Sequence, residues 1–195
     1  MNNYNQIYDV QDLTNESQQL EPVTLEEMKD YLRLEGFTDA DANTIESLSN
    51  FDFDDTLIED MIRAARKKIE RYCGISIVYH VWKVVFTNGS GEVEMPYGPL
   101  QGIVSLKYAN NVVNTSYTIR TFDSYAERPY FYLLEPKGEF LKMEYEAGYD
   151  ECPDELRLGI MQCVADWYEN RIIGVLGQRV KQTVSPFKRS WTWLA

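Results

Sequence analysis

The chain has 195 residues, of which 44% are hydrophobic and 13% aromatic, and its formal net charge is −12. This composition supplies enough apolar side chains for a core and excludes a chain that is disordered throughout. No apolar run reaches the roughly 18 residues of a membrane span, and the first residues lack the basic and apolar regions of a signal peptide, so a cytoplasmic origin is expected.

The charge is unevenly distributed along the chain. Residues 1–60 contain 16 acidic and two basic side chains, a net charge of −14, whereas residues 61–195 contain 15 acidic and 17 basic ones. Residues 171–195 contain five bases and no acid. An acidic start and a basic end favour contacts with other chains, and the overall acidity disfavours non-specific DNA binding by the whole surface.

Domain organisation follows from these composition changes. Residues 1–21 are polar and have no periodic apolar face, which predicts an N-terminal arm. A folded domain is predicted over 22–173, followed by a basic, aromatic C-terminal arm over 174–195. Three cysteines (Cys73, Cys152 and Cys163) without a CxxC pair indicate a reducing compartment rather than a disulfide framework.

The first elements of the domain are helical. Thr24 and Glu27 form a capping box, which predicts a helix over 24–35. Residues 36–53 are acidic and are predicted to be a loop. A second helix is predicted over 55–73, because apolar residues recur there every three or four positions.

The apolar period changes from about 3.6 to 2 over residues 75–147, where β-branched and aromatic runs alternate with turn residues. This pattern predicts a small antiparallel sheet or barrel. Helical spacing then returns, and a third helix is predicted over 153–172 because Pro153 suits the first helical position. The predicted strands are 75–86, 92–95, 103–108, 117–121, 130–134 and 140–145. The expected fold is therefore α+β: a helical bundle part, an antiparallel β part and extended terminal arms.

One pattern suggests a metal but is incomplete. Asp39, Asp41 and Asn43 have the opening spacing of an EF-hand calcium loop. The two decisive later positions, which need glycine and a bidentate glutamate, are occupied by Thr44 and Asn50. A solvated acidic loop is the preferred interpretation, and no metal site is predicted.

The residues that could support catalysis also occur without a recognisable catalytic motif. His80 is the only histidine, which excludes multi-histidine zinc sites, and its place in a predicted strand favours a packed histidine over a general base. The carboxylate pairs Glu92/Glu94 and Glu144/Glu146 each share one face of a strand, but this spacing does not establish the cleft of a glycosidase. Neither a P-loop nor a GxGxxG sequence occurs, so no catalytic or cofactor-binding residue is predicted.

Two basic segments are candidate binding surfaces. The second predicted helix has a basic face, for which simple solvation is the alternative interpretation. The C-terminal arm interleaves bases with aromatic residues, which favours docking into a groove of another protein. Stacking on single-stranded nucleic acid is the alternative for the arm.

Several stretches occur together in one order over roughly residues 22–189. They are PVTLEEMKDYLRL at 22–34, LIEDMIRAAR at 57–66, Trp82 with PYGPL at 96–100, EYEAGY at 144–149, CPDELR at 152–157, ADWYENR at 165–171 and VSPFKR at 184–189. In this order they resemble the small head–tail connector (adaptor, or head-completion) proteins of tailed bacteriophages. The acidic segment 36–53 is longer than in that family, and the arm 1–21 is additional.

The resemblance implies a structural virion protein without catalysis or cofactor. Members of this family assemble as a closed ring, commonly a dodecamer, beneath the portal, where the ring extends the DNA channel and presents a surface to the next component. The implied partners are further copies of the chain, the portal protein, a stopper or tail-completion protein, and genomic DNA that passes without sequence-specific binding. The implied location is the neck of the virion, after assembly in the host cytoplasm and without a membrane.

A ring requires interfaces in which one patch meets a different patch on the neighbour. The resemblance therefore gives the two basic segments expected roles. The basic side of the subunit interface is expected at Arg63, Arg66, Lys67 and Arg71. The C-terminal arm is expected to bind the portal or an adjacent subunit through Pro186, Phe187, Lys188, Arg189, Trp191 and Trp193.

Two other functions are left open by the sequence. A stopper or tail-completion protein, one layer further down the neck, is also a small mixed fold. A carboxylate-based cell-wall hydrolase would need two acids in one pocket, one of them with a strongly perturbed pKa.

Overall fold

The structure is a computed structural model, and it describes residues 7–15, 20–33, 45–87, 92–108, 113, 117–120, 130–133, 140–171 and 173–189. The chain divides into two compact units. The helix unit comprises residues 21–73 and 152–185. The sheet unit comprises residues 1–20, 74–151 and 186–195.

Four helices and seven strands lie within the described residues. The helices are α1 (Leu25–Leu32), α2 (Ile45–Cys73), α3 (Asp154–Asn170) and α4 (Gln178–Val184). The strands are β1 (Ile7–Asp12), β2 (His80–Thr87), β3 (Glu92–Glu94), β4 (Leu100–Tyr108), β5 (Tyr117–Arg120), β6 (Tyr130–Leu133) and β7 (Phe140–Ala147).

Helix α1 begins at the predicted capping box. Thr24 Oγ1 accepts a hydrogen bond from the Glu27 backbone N–H at 3.2 Å, and Glu27 Oε2 accepts one from the Thr24 N–H at 2.9 Å. These reciprocal bonds satisfy backbone donors that the first turn leaves without partners. The helix ends after Leu32, where Arg33 adopts a left-handed φ of 55°.

Helix α3 packs on both α2 and α4 within the helix unit. Gly159 of α3 marks a close approach, because a Cβ atom there would lie 2.5 Å from Val184 Cγ1 and 3.7 Å from Ile69 Cδ1. The buried Trp167 donates its indole N–H to the Val175 carbonyl at 2.7 Å, which holds the α3–α4 connection against α3. The buried apolar residues of these helices are Ile58, Met61, Ile62, Ala65, Ile69, Leu156, Ile160, Cys163, Val164, Trp167, Val180 and Val184.

The sheet unit contains a four-stranded antiparallel sheet of order β1-β2-β7-β4 and a three-stranded sheet of order β3-β6-β5. Residues alternate between the two faces of a strand, and in β7 the positions from Leu141 to Ala147 alternate between buried and half-buried. Tyr145 of β7 lies opposite Trp82 of β2 and Ile103 of β4. The core of this sheet is formed by Val84, Met95, Leu106, Leu141, Met143, Tyr145 and Ala147.

The Pro-rich turn before β4, at residues 96–99, is held by aromatic packing. The Trp82 ring stacks on Tyr97, with centroids 4.3 Å apart and an interplanar angle of 15°. Trp82 Nε1 donates to Ser76 Oγ at 2.9 Å, and Ser76 Oγ donates to the Tyr97 carbonyl at 2.9 Å. The turn is therefore built by side chains of the sheet unit as well as by its own prolines.

The predicted terminal arms and central loop differ most from the structure. Within residues 1–21 the structure has β1, which pairs with β2 along the sheet edge. Helix α2 begins at Ile45, inside the predicted loop 36–53, while residues 34–44 lie outside the described part of the chain. Within the predicted arm 174–195 the structure has α4, and β2 begins at His80 rather than at residue 75.

The mixed α+β prediction is confirmed, with helices and an antiparallel sheet in the predicted chain order. In the part of the chain that the structure describes, no helix is both long and apolar enough to cross a bilayer.

Candidate assembly surfaces

Helix α2 has a buried side and an outward side. Ile58, Ile62 and Ile69 lie on the buried side. Lys67 lies nine residues after Ile58, which is half a turn out of phase at 3.6 residues per turn and therefore on the opposite side. Arg63 and Arg71 lie one turn before and after Lys67 on that side, and both are exposed.

Arg66 belongs to the buried side, although it was predicted at the interface. Its side chain has 0% exposure, and its Nε and Nη2 atoms donate to Glu21 at 2.8 and 3.0 Å. Its Nη1 atom donates to the buried Glu70 at 2.8 Å. Burial lowers the pKa of Arg66, but the two carboxylates outweigh burial and raise it above the ordinary value. Arg66 therefore acts inside the helix unit, and the candidate basic surface consists of Arg63, Lys67 and Arg71.

Part of the acidic N-terminal charge is neutralised within the units. In the described residues, Lys29 pairs with Asp55 at 2.5 Å and Arg157 pairs with Glu27 at 2.5 Å. Glu21 pairs with Arg66, and Asp12 pairs with His80 if the imidazole is protonated. Intrachain ion pairs therefore neutralise part of the acidic charge that the sequence concentrates near its start.

His80 lies in such a contact, and it is buried with 5% exposure. Its Nδ1 atom lies 3.0 Å from Asp12 Oδ2 and 3.4 Å from Thr14 Oγ1, and its ring is stacked on Trp82 at 5.3 Å. The backbone N–H of Val81 donates to Thr14 Oγ1 at 2.9 Å. These contacts attach the end of β1 to β2, which agrees with the predicted packed histidine.

The start of the C-terminal arm is anchored to the sheet unit. Phe187 has 1% exposure and contacts Tyr149 edge to face, with centroids 6.5 Å apart and an angle of 84°. Arg189 is also buried, and its Nη2 atom donates to the Met95 carbonyl at 2.9 Å. Both side chains had been predicted to contact a partner, and in this structure they fasten the arm to its own chain.

Of the other residues predicted to contact the partner, two are exposed and two lie outside the part of the chain that the structure describes. Pro186 and Lys188 are exposed on the anchored stretch. Trp191 and Trp193 lie outside the described residues. The candidate docking segment therefore consists of Pro186, Lys188 and the residues that follow Arg189.

Helix α3 carries a surface that periodicity could have indicated. Leu156, Ile160 and Cys163 form its buried side. Leu158 and Ala165 are offset from these residues by about half a turn, and Leu158 has 38% exposure. A second apolar series, Leu158-Met161-Ala165 at spacings of three and four, was overlooked because the first series already accounted for an amphipathic helix.

The chemically reactive side chains are engaged in structural contacts. Burial raises the pKa of the Cys152 thiol to about 12, and burial likewise raises that of Cys163 to about 12. At neutral pH neither thiol is a competent nucleophile. Glu146 accepts a hydrogen bond from Tyr79 at 2.7 Å, which together with burial raises the pKa of Tyr79, and Glu144 accepts one from Ser105 at 3.1 Å.

Among the described residues, no group of three or more His, Cys, Asp or Glu side chains could hold a metal ion. Of the incomplete calcium-loop pattern, Asp39, Asp41, Asn43 and Thr44 lie outside those residues, and the Asn50 side chain is not described.

Comparisons with solved structures show where this fold occurs. A chain from the neck of an empty GTA (gene transfer agent) particle, computed with C6 symmetry, is 18% identical, with a TM-score of 0.68 over 95% of this chain and 97% of that chain. A chain from the virion of a native GTA particle is 19% identical, with a TM-score of 0.65 over 94% and 96%. A chain from the neck of a native GTA particle, computed with C12 symmetry, is 16% identical, with a TM-score of 0.58 over 80% and 94%. At these identities the likeness establishes the fold.

Family membership comes from the sequence itself. Comparison with curated proteins gives no match. The family model of phage gp6-like head-tail connector proteins matches residues 50–185, which is more than half of the chain. The chain therefore belongs to the phage gp6-like head-tail connector family, and its role is that of a structural connector.

Proposed function

We propose that this chain forms a closed ring in the neck of a tailed particle, beneath the portal, where it extends the DNA channel and provides the attachment surface for the next component. The observation that carries this proposal is the family match over residues 50–185. The fold likeness to neck chains computed with C6 and C12 symmetry supports a ring, because a symmetric ring repeats one subunit around an axis.

The net charge supports the proposed passage of DNA through the ring. A chain with 31 acidic and 19 basic side chains offers few opportunities for a net gain of phosphate contacts. Each phosphate contact adds affinity, and a channel must release the DNA that passes through it. We infer that the lumen guides DNA without sequence-specific binding.

The portal is the proposed partner of the C-terminal segment. The part of this segment that the structure describes ends at Arg189, and the residues after it include Trp191 and Trp193. Tryptophan is enriched at the energetic centres of protein interfaces, because it buries a large area at low conformational cost. The buried Phe187 and Arg189 give this segment a defined origin on the sheet unit.

The contacts of the thiols and of His80 support a role without catalysis. Both cysteines whose thiol pKa is about 12 would have to ionise before acting as nucleophiles. The imidazole of His80 is committed to Asp12 and Thr14. We infer that the protein acts in the virion through binding alone, after assembly in the host cytoplasm.

A joining assay tests the proposed function. DNA-filled, portal-bearing heads made without this chain should fail to join tails, and added purified chain should restore joining. The double variant Trp191→Ala/Trp193→Ala should bind portal-bearing heads at least tenfold more weakly, since two anchoring side chains are lost. Thr192→Ala serves as the matched control and should bind like the unaltered chain. Efficient joining in the absence of the chain would overturn the proposal, and unchanged head binding by the double variant would overturn the assignment of the arm.

A further inference from the structure

Helix α3 is apolar on two opposite sides. The inner side, with Leu156 and Ile160, is buried within the helix unit. The outer side carries Leu158, Met161 and Ala165, of which Leu158 has 38% exposure and the other two are half-buried. A second apolar series on a helix that is already amphipathic indicates a contact beyond the helix's own core. The outer side is therefore a candidate contact surface.

The outward sides of α2 and α3 lie on two different helices of the same unit. The two helices pack on each other, and Gly159 of α3 lies close to Ile69 of α2. Lys67 and Ala165 each lie nine residues, and hence half a turn, from the buried positions Ile58 and Leu156. Two unlike patches on one unit are what a head-to-tail ring contact requires.

The two patches have complementary charge. The outward line of α2 carries the bases Arg63, Lys67 and Arg71, of which Arg63 pairs with Asp60 at 3.3 Å. The apolar series of α3 is flanked by the exposed acids Asp154, Glu155 and Glu169. Of the bases nearby, Arg157 pairs with Glu27 and Arg171 lies over the Tyr168 ring. An apolar centre with a charged rim is typical of protein interfaces. The aliphatic stems of Lys67 and Arg71 can also cover apolar side chains while their charges remain at the rim.

We propose that the outward side of α3, centred on Leu158, Met161 and Ala165, binds the basic outward side of α2 on a second copy of this chain. The apolar series packs against the stems of the basic side chains, and Glu169 and the acids near Asp154 face the positive charges. This assignment rests on the proposed ring and specifies its subunit interface.

Cysteine cross-linking of assembled rings tests this contact. The full chain carries Leu158→Cys and Lys67→Cys in a Cys152→Ser background, and a short bis-maleimide is added to rings, either purified or bound to portal-bearing heads. A heterologous contact predicts a ladder of dimers, trimers and larger species from the double variant. Each single-cysteine variant should stay monomeric, and a mixture of the two should stop at dimers.

The matched control carries Gln182→Cys with Lys67→Cys in the same background, since Gln182 is exposed on α4, which packs on α3 at Gly159 rather than on its outer side. We expect no ladder from this control. An equal ladder from the control, dimers from Leu158→Cys alone, or rings that give no ladder would each overturn the contact while leaving the ring intact. A native chain that forms no ring would overturn the proposed function itself.

Charge reversal provides a second measurement. Leu158→Lys/Glu169→Lys should raise the concentration for half-assembly at least tenfold, because lysines would then face the basic side of α2. Adding Lys67→Glu/Arg71→Glu to the same chain should restore assembly. Unchanged far-UV circular dichroism and unfolding midpoint establish that the variants are folded. Assembly unaffected by the first pair of changes, or not restored by the second, would contradict the proposed contact.

Discussion

Arg66 shows how one buried side chain organises the helix unit. Its guanidinium holds Glu70 on its own helix and Glu21 just before α1, so it links the entry of the unit to its longest helix. Removing the guanidinium from such a cluster leaves the buried Glu70 carboxylate without its ion pair to Arg66. This is why a surface role for Arg66 is incompatible with its environment.

We predict that Arg66→Ala lowers the free energy of unfolding by about 3–5 kcal/mol, because Glu70 would stay buried without its cation. Urea unfolding followed by circular dichroism measures this loss. Arg63→Ala, on the exposed side of the same helix, is the matched control and should change stability by less than about 0.5 kcal/mol. Equal effects of the two substitutions would contradict the buried role of Arg66.

At the residue scale, a contact was predictable from the sequence when both of its partners lie close together along the chain. The Thr24–Glu27 capping box was predictable because both partners lie within one helical turn. The burial of Arg66 and Arg189 was not, because charged residues are almost never fully buried unless paired. Glu21, which covers Arg66, and the Met95 carbonyl, which binds Arg189, lie far along the chain from them.

Whether a helix or strand was predictable likewise depended on whether the signal for it is local or comes from residues far along the chain. The central strands and α3 were predictable from their own periodicity. Strand β1 was not, because the residues of β2 with which it pairs lie 70 to 79 positions further along the chain. Its end is held there by the contact of Asp12 with His80 and by the hydrogen bond from the Val81 N–H to Thr14. Helix α4 has only seven residues, too few for a period to stand out, and its burial of Val180 and Val184 becomes evident only in the folded unit.

Gly159 tests the packing of α3 on α4. An alanine in a helix normally stabilises by up to about 1 kcal/mol relative to glycine. Here the added Cβ would lie 2.5 Å from Val184 Cγ1, so we predict that Gly159→Ala destabilises by about 1–3 kcal/mol. In the double variant with Val184→Ala the clash should be relieved, and a double-mutant cycle in urea should show favourable coupling. Strictly additive losses would contradict the close approach.

Truncating the C-terminal segment at two points separates the residues that anchor it to the sheet unit from those proposed to dock on a partner. A chain that ends at residue 189 keeps Phe187 and Arg189 and should unfold with the native midpoint. A chain that ends at residue 185 loses both, and we predict a loss of about 3–5 kcal/mol by analogy with the removal of a buried phenylalanine side chain. Thermal or urea unfolding of the two chains measures the difference. Equal stabilities would show that residues 186–189 do not anchor the segment.

At the scale of the whole molecule, the net charge of −12 takes on a more specific meaning. Several acidic residues of the first 60 pair with bases of their own chain, so they are not all available to a partner. The outward side of α2 is rich in bases, and the ends of α3 are rich in acids. The family assignment was accessible from the sequence because its motifs occur in one order, whereas these patches required the orientation of the helices.

A cryo-electron microscopy reconstruction of the neck of the particle that carries this chain tests the central claim most directly. Our account predicts a closed ring of identical copies between the portal and the next neck component, with the DNA path through its centre. A neck that contains this chain as a single copy or as an open cluster, or that lacks it altogether, would contradict the account.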